Sequence, residues 1–579
     1  MKKVIAYLKP YKKQLIFMFI IHALSTFLSL LMPYLMSAIV SEGIAKQESG
    51  TIVRLCLLML GVGAVSFLFS LLTVRMNAKV SSSFGKSLSR AVFSKINSLS
   101  FEEYSRVGTS GLLTRSTDDI FSVEDAAGGL VATVATVPVL LVGGVILSFS
   151  ADAVLALIFL AAIPLVLLLA RFVTRPLGDM WDKSDRYIDV QNRIVRERLS
   201  GLRVIRAFGK EDAEHARAKD ATENMTHYII RANVRGGYLD DAVALILNLA
   251  TVLILVVGAR RMETSSVLRA GDVIAVIQYV ALIMNAVLML SWTIAWLPHL
   301  RVSVRRIGEV LDLPSEEDAA REKVALRGDL VLSDVTFSYP GAEAPVLAGI
   351  SFTIRGGETI ALIGGTGSGK STLVKLLLDF YTPEAGSISF GGTDYTTLPR
   401  AAVRDNFSVA LQKSMIFEGS VRDNVRMGNE AAEDAALLAA LDIAEMSSFL
   451  AQHEEGLDYR LAGAGANISG GQKQRINIAR ALIRPAEVYI FDDSFSALDY
   501  LTESRLRKKL NRALAGKTQI VVTQRAATAM RCDRIVVLDG GRTVGIGKHE
   551  DLLSSCPVYR EIYDSQLGAK DAARGGDAE

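Results

Sequence analysis

The chain has 579 residues, half of them hydrophobic, and a mean hydropathy of +0.31. That length exceeds what one hydrophobic core organises, and that hydropathy places part of the chain in lipid. A net charge of +3 gives no electrostatic support to nucleic-acid binding, and three scattered cysteines, Cys56, Cys532 and Cys556, argue against a disulfide framework or a zinc site.

A Lys-rich start (Lys2, Lys3, Lys9, Lys12, Lys13) precedes an apolar run longer than a signal-peptide core and without a small-residue cleavage site, which predicts a retained membrane helix. Apolar segments of spanning length lie at 15–40, 52–74, 129–149, 153–174, 240–259 and 272–298. Six spans put both termini on one side, and the basic stretches 75–106 and 193–217 make that side the cytoplasm. The loop at 260–271, with Arg260, Arg261 and Arg269, runs against this rule. The connections 75–128 and 175–238 are long and charged at helical spacing, which predicts helical extensions into the cytoplasm. For His22, Asn248, Gln278 and Asn285, all within spans, substrate contact and interhelical hydrogen bonding are both open readings.

Residues 1–312 are thus expected to form a transmembrane domain, 313–326 an acidic, proline-containing linker, 327–567 a soluble α/β domain, and 568–579 a disordered tail. Strand-like runs at 330–332, 335–339, 359–363, 387–390, 488–491, 519–522 and 535–538 alternate with helical segments, as a largely parallel sheet requires.

Between the apolar strand Thr359–Ile363 and the helical run Leu373–Phe380 lies Gly364-Gly365-Thr366-Gly367-Ser368-Gly369-Lys370-Ser371-Thr372. A glycine-rich turn in that context is a phosphate-binding loop: backbone N–H groups from Gly367 to Thr372 converge on a β-phosphate, Lys370 reaches the β/γ oxygens, and Ser371 ligates Mg²⁺. Val488-Tyr489-Ile490-Phe491-Asp492 ends a buried strand on a carboxylate, which suits the same Mg²⁺. Ile468-Ser469-Gly470-Gly471-Gln472 opens a helix, forming a second anion-binding N-terminus.

With these three motifs the soluble part resembles the nucleotide-binding domain of ATP-binding cassette (ABC) transporters, whose signature is LSGGQ, and six preceding spans resemble an exporter half-transporter. The resemblance covers nearly the whole chain. It implies an α-helical six-span transmembrane domain followed by an α/β P-loop nucleotide-binding domain, ATP and Mg²⁺ as cofactors, a place in the bacterial cytoplasmic membrane, and a head-to-tail dimer in which Ser469, Gly470, Gly471 and Gln472 cap the partner's γ-phosphate. It implies further that Tyr339 stacks on adenine, that Gln412 contacts Mg²⁺, and that Asp499 belongs to a loop crossing the dimer interface, although a helix N-cap is the plain reading of that aspartate. Ser116–Asp119 and Arg206–Glu211 fall where exporters place the short helices that dock onto nucleotide-binding domains.

Two positions depart from the pattern at the hydrolytic centre. Asp493 stands where the family usually has the glutamate base, and Gln524 where it has a histidine; Gly463 also replaces a usual glutamate before the signature. A carboxylate one methylene shorter misplaces the attacking water, and an amide carries neither charge nor proton as imidazole does. The pattern resembles the degenerate-site subunit of heterodimeric exporters. The expected function is ATP-driven export of amphipathic small molecules, lipids or peptides, with a homodimer using Asp493 as base, or an ATP-gated regulatory module of a membrane partner, as alternatives.

Overall fold

The computed structural model describes residues 2–264, 268–316 and 324–568. The remainder of the expected linker, 317–323, and of the expected tail, 569–579, lies outside the described residues. The chain divides into two compact units, one of Met1–Asn97 with Val107–Leu313, the other of Ser98–Arg106 with everything from Pro314.

The first unit is helical. Six helices among the described residues are long and apolar enough to cross a membrane: Lys3–Ile44, Ser49–Asn97, Thr109–Ala151, Ala153–Ala207, Glu211–Thr264 and Ala270–Asp312. Within them we number α1 (Lys12–Ala38), α2 (Ser49–Asn97), α3 (Asp118–Pro138), α4 (Ala153–Thr174), α5 (Leu177–Ala207), α6 (Glu211–Thr264) and α7 (Ala270–Asp312). The 49 residues of α2 extend about 70 Å, more than twice the hydrocarbon thickness, so its charged half continues into water. The charged lengths of α5 and α6 run side by side, with Tyr187 stacked on Tyr228 at 5.8 Å and Arg217 paired with Glu197 at 2.9 Å.

Two of the three arginines that run against the charge rule, Arg261 and Arg269, are paired locally. Arg261 donates to Asp152, the N-cap of α4, from Nε at 3.2 Å and from a terminal nitrogen at 2.9 Å. Arg269 pairs with Asp272 at 3.2 Å and Glu42 at 3.4 Å, and Asp272 in turn accepts from Ser37 at 2.8 Å.

The second unit is built on two sheets. The strands are β1 (Leu330–Phe337), β2 (Leu347–Ile354), β3 (Thr359–Ile363), β4 (Ala385–Phe390), β5 (Thr393–Asp394), β6 (Phe407–Ala410), the short ribbon β7 (Gly419–Ser420) and β8 (Arg460–Leu461), then β9 (Val488–Asp492), β10 (Thr518–Val522), β11 (Arg534–Asp539) and β12 (Arg542–Gly547). The larger sheet runs β12-β11-β3-β10-β9-β6, parallel except at β12; the smaller, β2-β1-β4-β5, is antiparallel. Strands β9 and β10 are buried at every residue, as continuous apolar runs covered on both faces must be.

Ser98–Arg106, which sequence reading left inside the membrane half, packs in this unit. Phe101 stacks on Phe380 at 5.0 Å and meets Tyr381 edge-on at 5.7 Å, and Glu316 N–H donates to Ser98 O at 2.8 Å. Ser116–Asp119 and Arg206–Glu211 are helix breaks in the first unit, at Thr117 and at Phe208–Gly209.

Close helix contact in the first unit makes one glycine indispensable. A Cβ on Gly271 would stand 2.2 Å from Ser37 O on α1, a backbone atom that no side-chain rotation relieves. Gly271→Ala is therefore expected to destabilise the chain by about 1–3 kcal/mol, read as a lowered melting temperature of the full-length protein. An unchanged melting temperature would mean that α1 and α7 do not approach this closely.

Candidate nucleotide-binding site

Parallel pairing gathers the site. In β10, Val522 lies level with Leu362 of β3 on one side and with Asp492 of β9 on the other. Three chain segments therefore leave the sheet at one edge: the loop after Ile363, Asp492-Asp493, and Thr523-Gln524. Strand β6, paired with β9, ends one residue before Leu411-Gln412 at the same edge. Ligands bind at this carboxyl edge of open α/β sheets.

The loop itself is closely built. Gly364 admits no side chain, because a Cβ would lie 2.1 Å from Leu538 O in β11. Gly369 takes a left-handed φ of 94° and starts helix α8 (Lys370–Leu377), so the first free N–H groups of α8 face the turn. Lys370 is buried and donates to Gly364 O at 2.9 Å, Gly365 O at 2.6 Å and Ser368 Oγ at 3.0 Å. Burial pulls its ammonium below the ordinary range, against the opposing pull of Asp492 and Asp493, which places all three groups in one electrostatic neighbourhood. Ser371 is exposed, while Ser368 and Thr372 are buried in the loop wall. Tyr339 stands beside them half-buried, its hydroxyl 3.1 Å from Thr372 Oγ1 and its ring under the Lys375 ammonium at 5.2 Å.

Asp492 is only 6% exposed, and its carboxyl is pushed up to about 6, first by burial and then by Asp493, with Lys370 and Lys375 opposing. A buried carboxylate short of positive charge is a fit for a divalent cation, whose arrival would restore the ionised form. Asp493 takes a left-handed φ of 46°, and its N–H donates to Val522 O at 3.0 Å, so its backbone is fixed to β10. Gln524 is exposed; its carbonyl accepts from Gln566 Nε2 at 2.7 Å, and Gln566 Oε1 accepts from Ala526 N–H at 2.8 Å. That clamp, reaching back from the C-terminal segment, has no local sequence signal. Gln412 is exposed just past β6, whose end is tied down by Asn477 donating to Leu411 O at 3.0 Å and Ser494 donating to Ala410 O at 2.8 Å.

The signature lies apart from the phosphate loop. Ser469 and Gln472 form a reciprocal capping box at the start of helix α9 (Gly470–Ile483), with Ser469 N–H donating to Gln472 Oε1 at 2.7 Å. Gly470 has open space around it, and a Cβ on Gly471 would sit 3.1 Å from Ala497 O. Through Gln474, which accepts from Ala497 N–H at 3.0 Å and donates to Ser496 Oγ at 3.2 Å, α9 is joined to the loop that ends at Asp499. Asp499 is the N-cap of helix α10 (Tyr500–Ala513): its carboxylate accepts from Thr502 N–H at 2.9 Å, and bonds from Thr502 hold its carboxyl below the ordinary range. Among the described residues, no hydrogen bond or ion pair links Ser469–Gln472 to Gly364–Thr372. One chain thus carries two separate anion-binding helix starts.

A nucleotide-binding fold of the phosphate-loop class, preceded by six membrane-crossing helices, is what this geometry defines. The family models described as ABC transporter transmembrane region and ABC transporter match residues 15–287 and 347–496. The chain is 35% identical, over 97% of each sequence, to an uncharacterised ABC transporter ATP-binding protein of Mycobacterium tuberculosis. It is 31% identical to one of Bacillus subtilis (98% of this chain, 99% of the relative), and 28% identical to the ATP-dependent lipid A-core flippase of Thiobacillus denitrificans (98% of each). A solved bacterial Atm1-family ABC exporter with ATP bound shares the fold, with a TM-score of 0.84 over 96% of this chain and 99% of that one, at 24% identity. The chain belongs to the ABC transporter family, with its membrane and nucleotide-binding domains fused in one chain and with the fold of that bacterial exporter. It is an ATP-driven transport ATPase integral to the bacterial cytoplasmic membrane, with the nucleotide-binding domain on the cytoplasmic side.

One residue at the far end of α8 yields a pH test. Asp379 takes a left-handed φ of 51° where the helix closes, with Phe380 N–H donating to Lys375 O at 2.9 Å. It is 8% exposed, and its carboxyl is raised from 3.8 to about 6 by burial, with Arg400 and Arg404 opposing and Glu316 adding to the rise. The folded chain therefore holds a proton there that the unfolded chain releases, so this group's contribution to stability falls as pH rises from about 4 through about 6. Asparagine fits the same backbone without the charge. Asp379→Asn is expected to raise stability at pH 7 by about 1–3 kcal/mol and to leave it unchanged at pH 4, by thermal unfolding of the full chain at both values. An equal effect at both pH values would contradict this assignment.

Proposed function

We propose that this chain is the slow-site half of a heterodimeric exporter, binding ATP on its own phosphate loop and lending its signature to a faster site on a second half-transporter. The observation that carries the reading is the hydrolytic edge itself. The base position holds Asp493, whose N–H is fixed to Val522 O, and the neighbouring strand end presents the Gln524 carboxamide. A backbone held this firmly does not swing forward to make up a missing methylene, and a misplacement on the order of 1 Å costs about 100-fold when water must attack in line.

In this reading Lys370 leaves the carbonyls of Gly364 and Gly365 for the phosphate oxygens, and the N–H groups of Gly367 to Thr372 receive the β-phosphate. Tyr339 stacks on the adenine. Ser371, Asp492 and Gln412 would hold Mg²⁺, which supplies charge neutralisation across the phosphates when bound. Ser469, Gly470, Gly471, Gln472 and the Asp499 loop meet the partner's nucleotide. The absence of any described bond between signature and phosphate loop within one chain supports their completion by a second one.

Coupling to the membrane half has a physical route. Helix α8 begins at the nucleotide and ends next to Phe380-Tyr381, on which Phe101 packs; Tyr381 also meets Tyr339 edge-on at 5.4 Å. Movement of α8 on nucleotide binding is thereby felt by Ser98–Arg106, which continues directly into α2. The transported class is amphipathic, as for the lipid A-core flippases among the relatives.

Restoring the usual pair tests the proposal. Asp493→Glu with Gln524→His is expected to raise ATP turnover at this chain's loop by about 10- to 100-fold, measured in the purified complex with the partner's base removed. Rapid hydrolysis by the unmodified chain alone, unaffected by Asp493→Ala, would instead exclude the slow site.

A further inference from the structure

The first unit contains a cavity of about 370 Å³ between four membrane-spanning helices, and its lining is polar. Ser25 and Ser29 reach it from α1, Ser66 and Ser70 from α2, Thr136 from α3 and Asn285 from α7. All six lie within the apolar segments that cross the membrane, and no acidic, basic or imidazole side chain is among the lining residues.

Much of this polarity is left over after internal bonding. Ser25 Oγ and Ser66 Oγ are 3.3 Å apart and each lies 3.4 Å from the other residue's carbonyl, and Thr136 Oγ1 lies 3.4 Å from Thr26 Oγ1, which donates to His22 O at 2.8 Å; the contacts of Ser25, Ser66 and Thr136 are all at the weak end of hydroxyl hydrogen bonding. Ser29 donates back to Thr26 O at 2.6 Å and keeps its lone pairs free to accept. Among the described residues, no hydrogen bond reaches Ser70 or Asn285, and both are exposed. A carboxamide left unpaired at membrane depth costs several kcal/mol, so this wall suits something that hydrogen-bonds.

A second feature marks the same place. After Pro138, α3 widens into a π-helical turn, Val139–Gly143, which sets Leu140 into the cavity wall beside Thr136. Such turns sacrifice regular helix bonding and recur where a helix shapes a ligand site. Phe67 and Leu282 complete an apolar margin.

We propose that the cavity receives the uncharged polyhydroxyl end of the transported amphiphile, with the apolar body lying along the Phe67–Leu140–Leu282 margin. Hydroxyls and one carboxamide both donate and accept, as a polyol requires. A cationic or anionic head would enter an uncharged site and lose its hydration without a counter-charge. This assignment rests on the exporter reading and is independent of which nucleotide site hydrolyses faster.

The test uses full-length transporter in phosphatidylcholine nanodiscs and three probes with one alkyl chain: octyl glucoside, octyltrimethylammonium and octyl sulfate, each below its micellar concentration. Binding is read by isothermal titration calorimetry, corrected with empty discs. The expected result is glucoside affinity at least about 10-fold above that of either charged probe, and weakened about 5- to 50-fold by Asn285→Leu and by Ser70→Ala made separately. Monodispersity and helical circular dichroism check the fold of each variant, and Ser70→Ala, a small change, serves if Asn285→Leu does not fold. Equal affinity for all three heads, or glucoside binding unchanged in the folded variants, would overturn the proposal. Because the readout needs no ATP, a chain that fails here while showing slow turnover leaves the nucleotide-site reading intact. Conversely, selective glucoside binding in a fast-hydrolysing chain removes only that reading.

Discussion

The in-register pairing of β10 between β3 and β9 is the constraint on which the nucleotide site depends. Level alignment of Leu362, Val522 and Asp492 brings three distant stretches of chain to one edge, and both strands that flank this edge, β9 and β10, are buried at every residue. Consequences follow in both directions along the chain. Toward the solvent edge, Lys370 waits on the carbonyls of its own loop, within the field of Asp492 and Asp493. Toward the rest of the domain, α8 carries any displacement of the loop to Phe380 and Tyr381, and from there to Phe101.

The same rigidity explains why a small substitution at this edge has a large proposed effect. A residue at the end of a fully hydrogen-bonded strand has little freedom, and Asp493 has less than most, because its N–H is bonded to the neighbouring strand. Gln524 is held in turn by Gln566, which grips the backbone on both sides of Arg525. A site so fixed is well suited to hold a triphosphate and poorly suited to adapt its chemistry. In the proposed heterodimer, slow turnover at one loop would keep the halves engaged while the other cycles.

What was legible in the sequence divides along physical lines. The six spans were readable because crossing a membrane demands a long apolar run, and the loop Gly364–Thr372 was readable because its chemistry is written in consecutive residues. Features made by distant contacts were not. Nothing local marks Ser98–Arg106 as packing in the nucleotide-binding unit, since Phe101 finds Phe380 only through the fold, nor Gln566 as a clamp. Nor does anything local show that Arg261 pairs with Asp152, or Arg269 with Glu42 as well as with nearby Asp272. Asn285 was visible as a polar residue in a span, but the hydroxyl side chains that share its cavity come from three other helices. At Asp499 the plain reading holds: the side chain caps α10, and the loop it closes is joined to the signature helix of the same chain.

The most direct test of the slow-site account is the chemical state of the nucleotide held on this chain during turnover. The complex, working on a photoreactive ATP analogue labelled at either the α- or the γ-phosphate, is crosslinked by light and its subunits are separated. The account predicts that this chain retains both labels in equal amounts, as intact triphosphate, while the partner retains mainly the α-label. Loss of the γ-label from this chain at the partner's rate would contradict it.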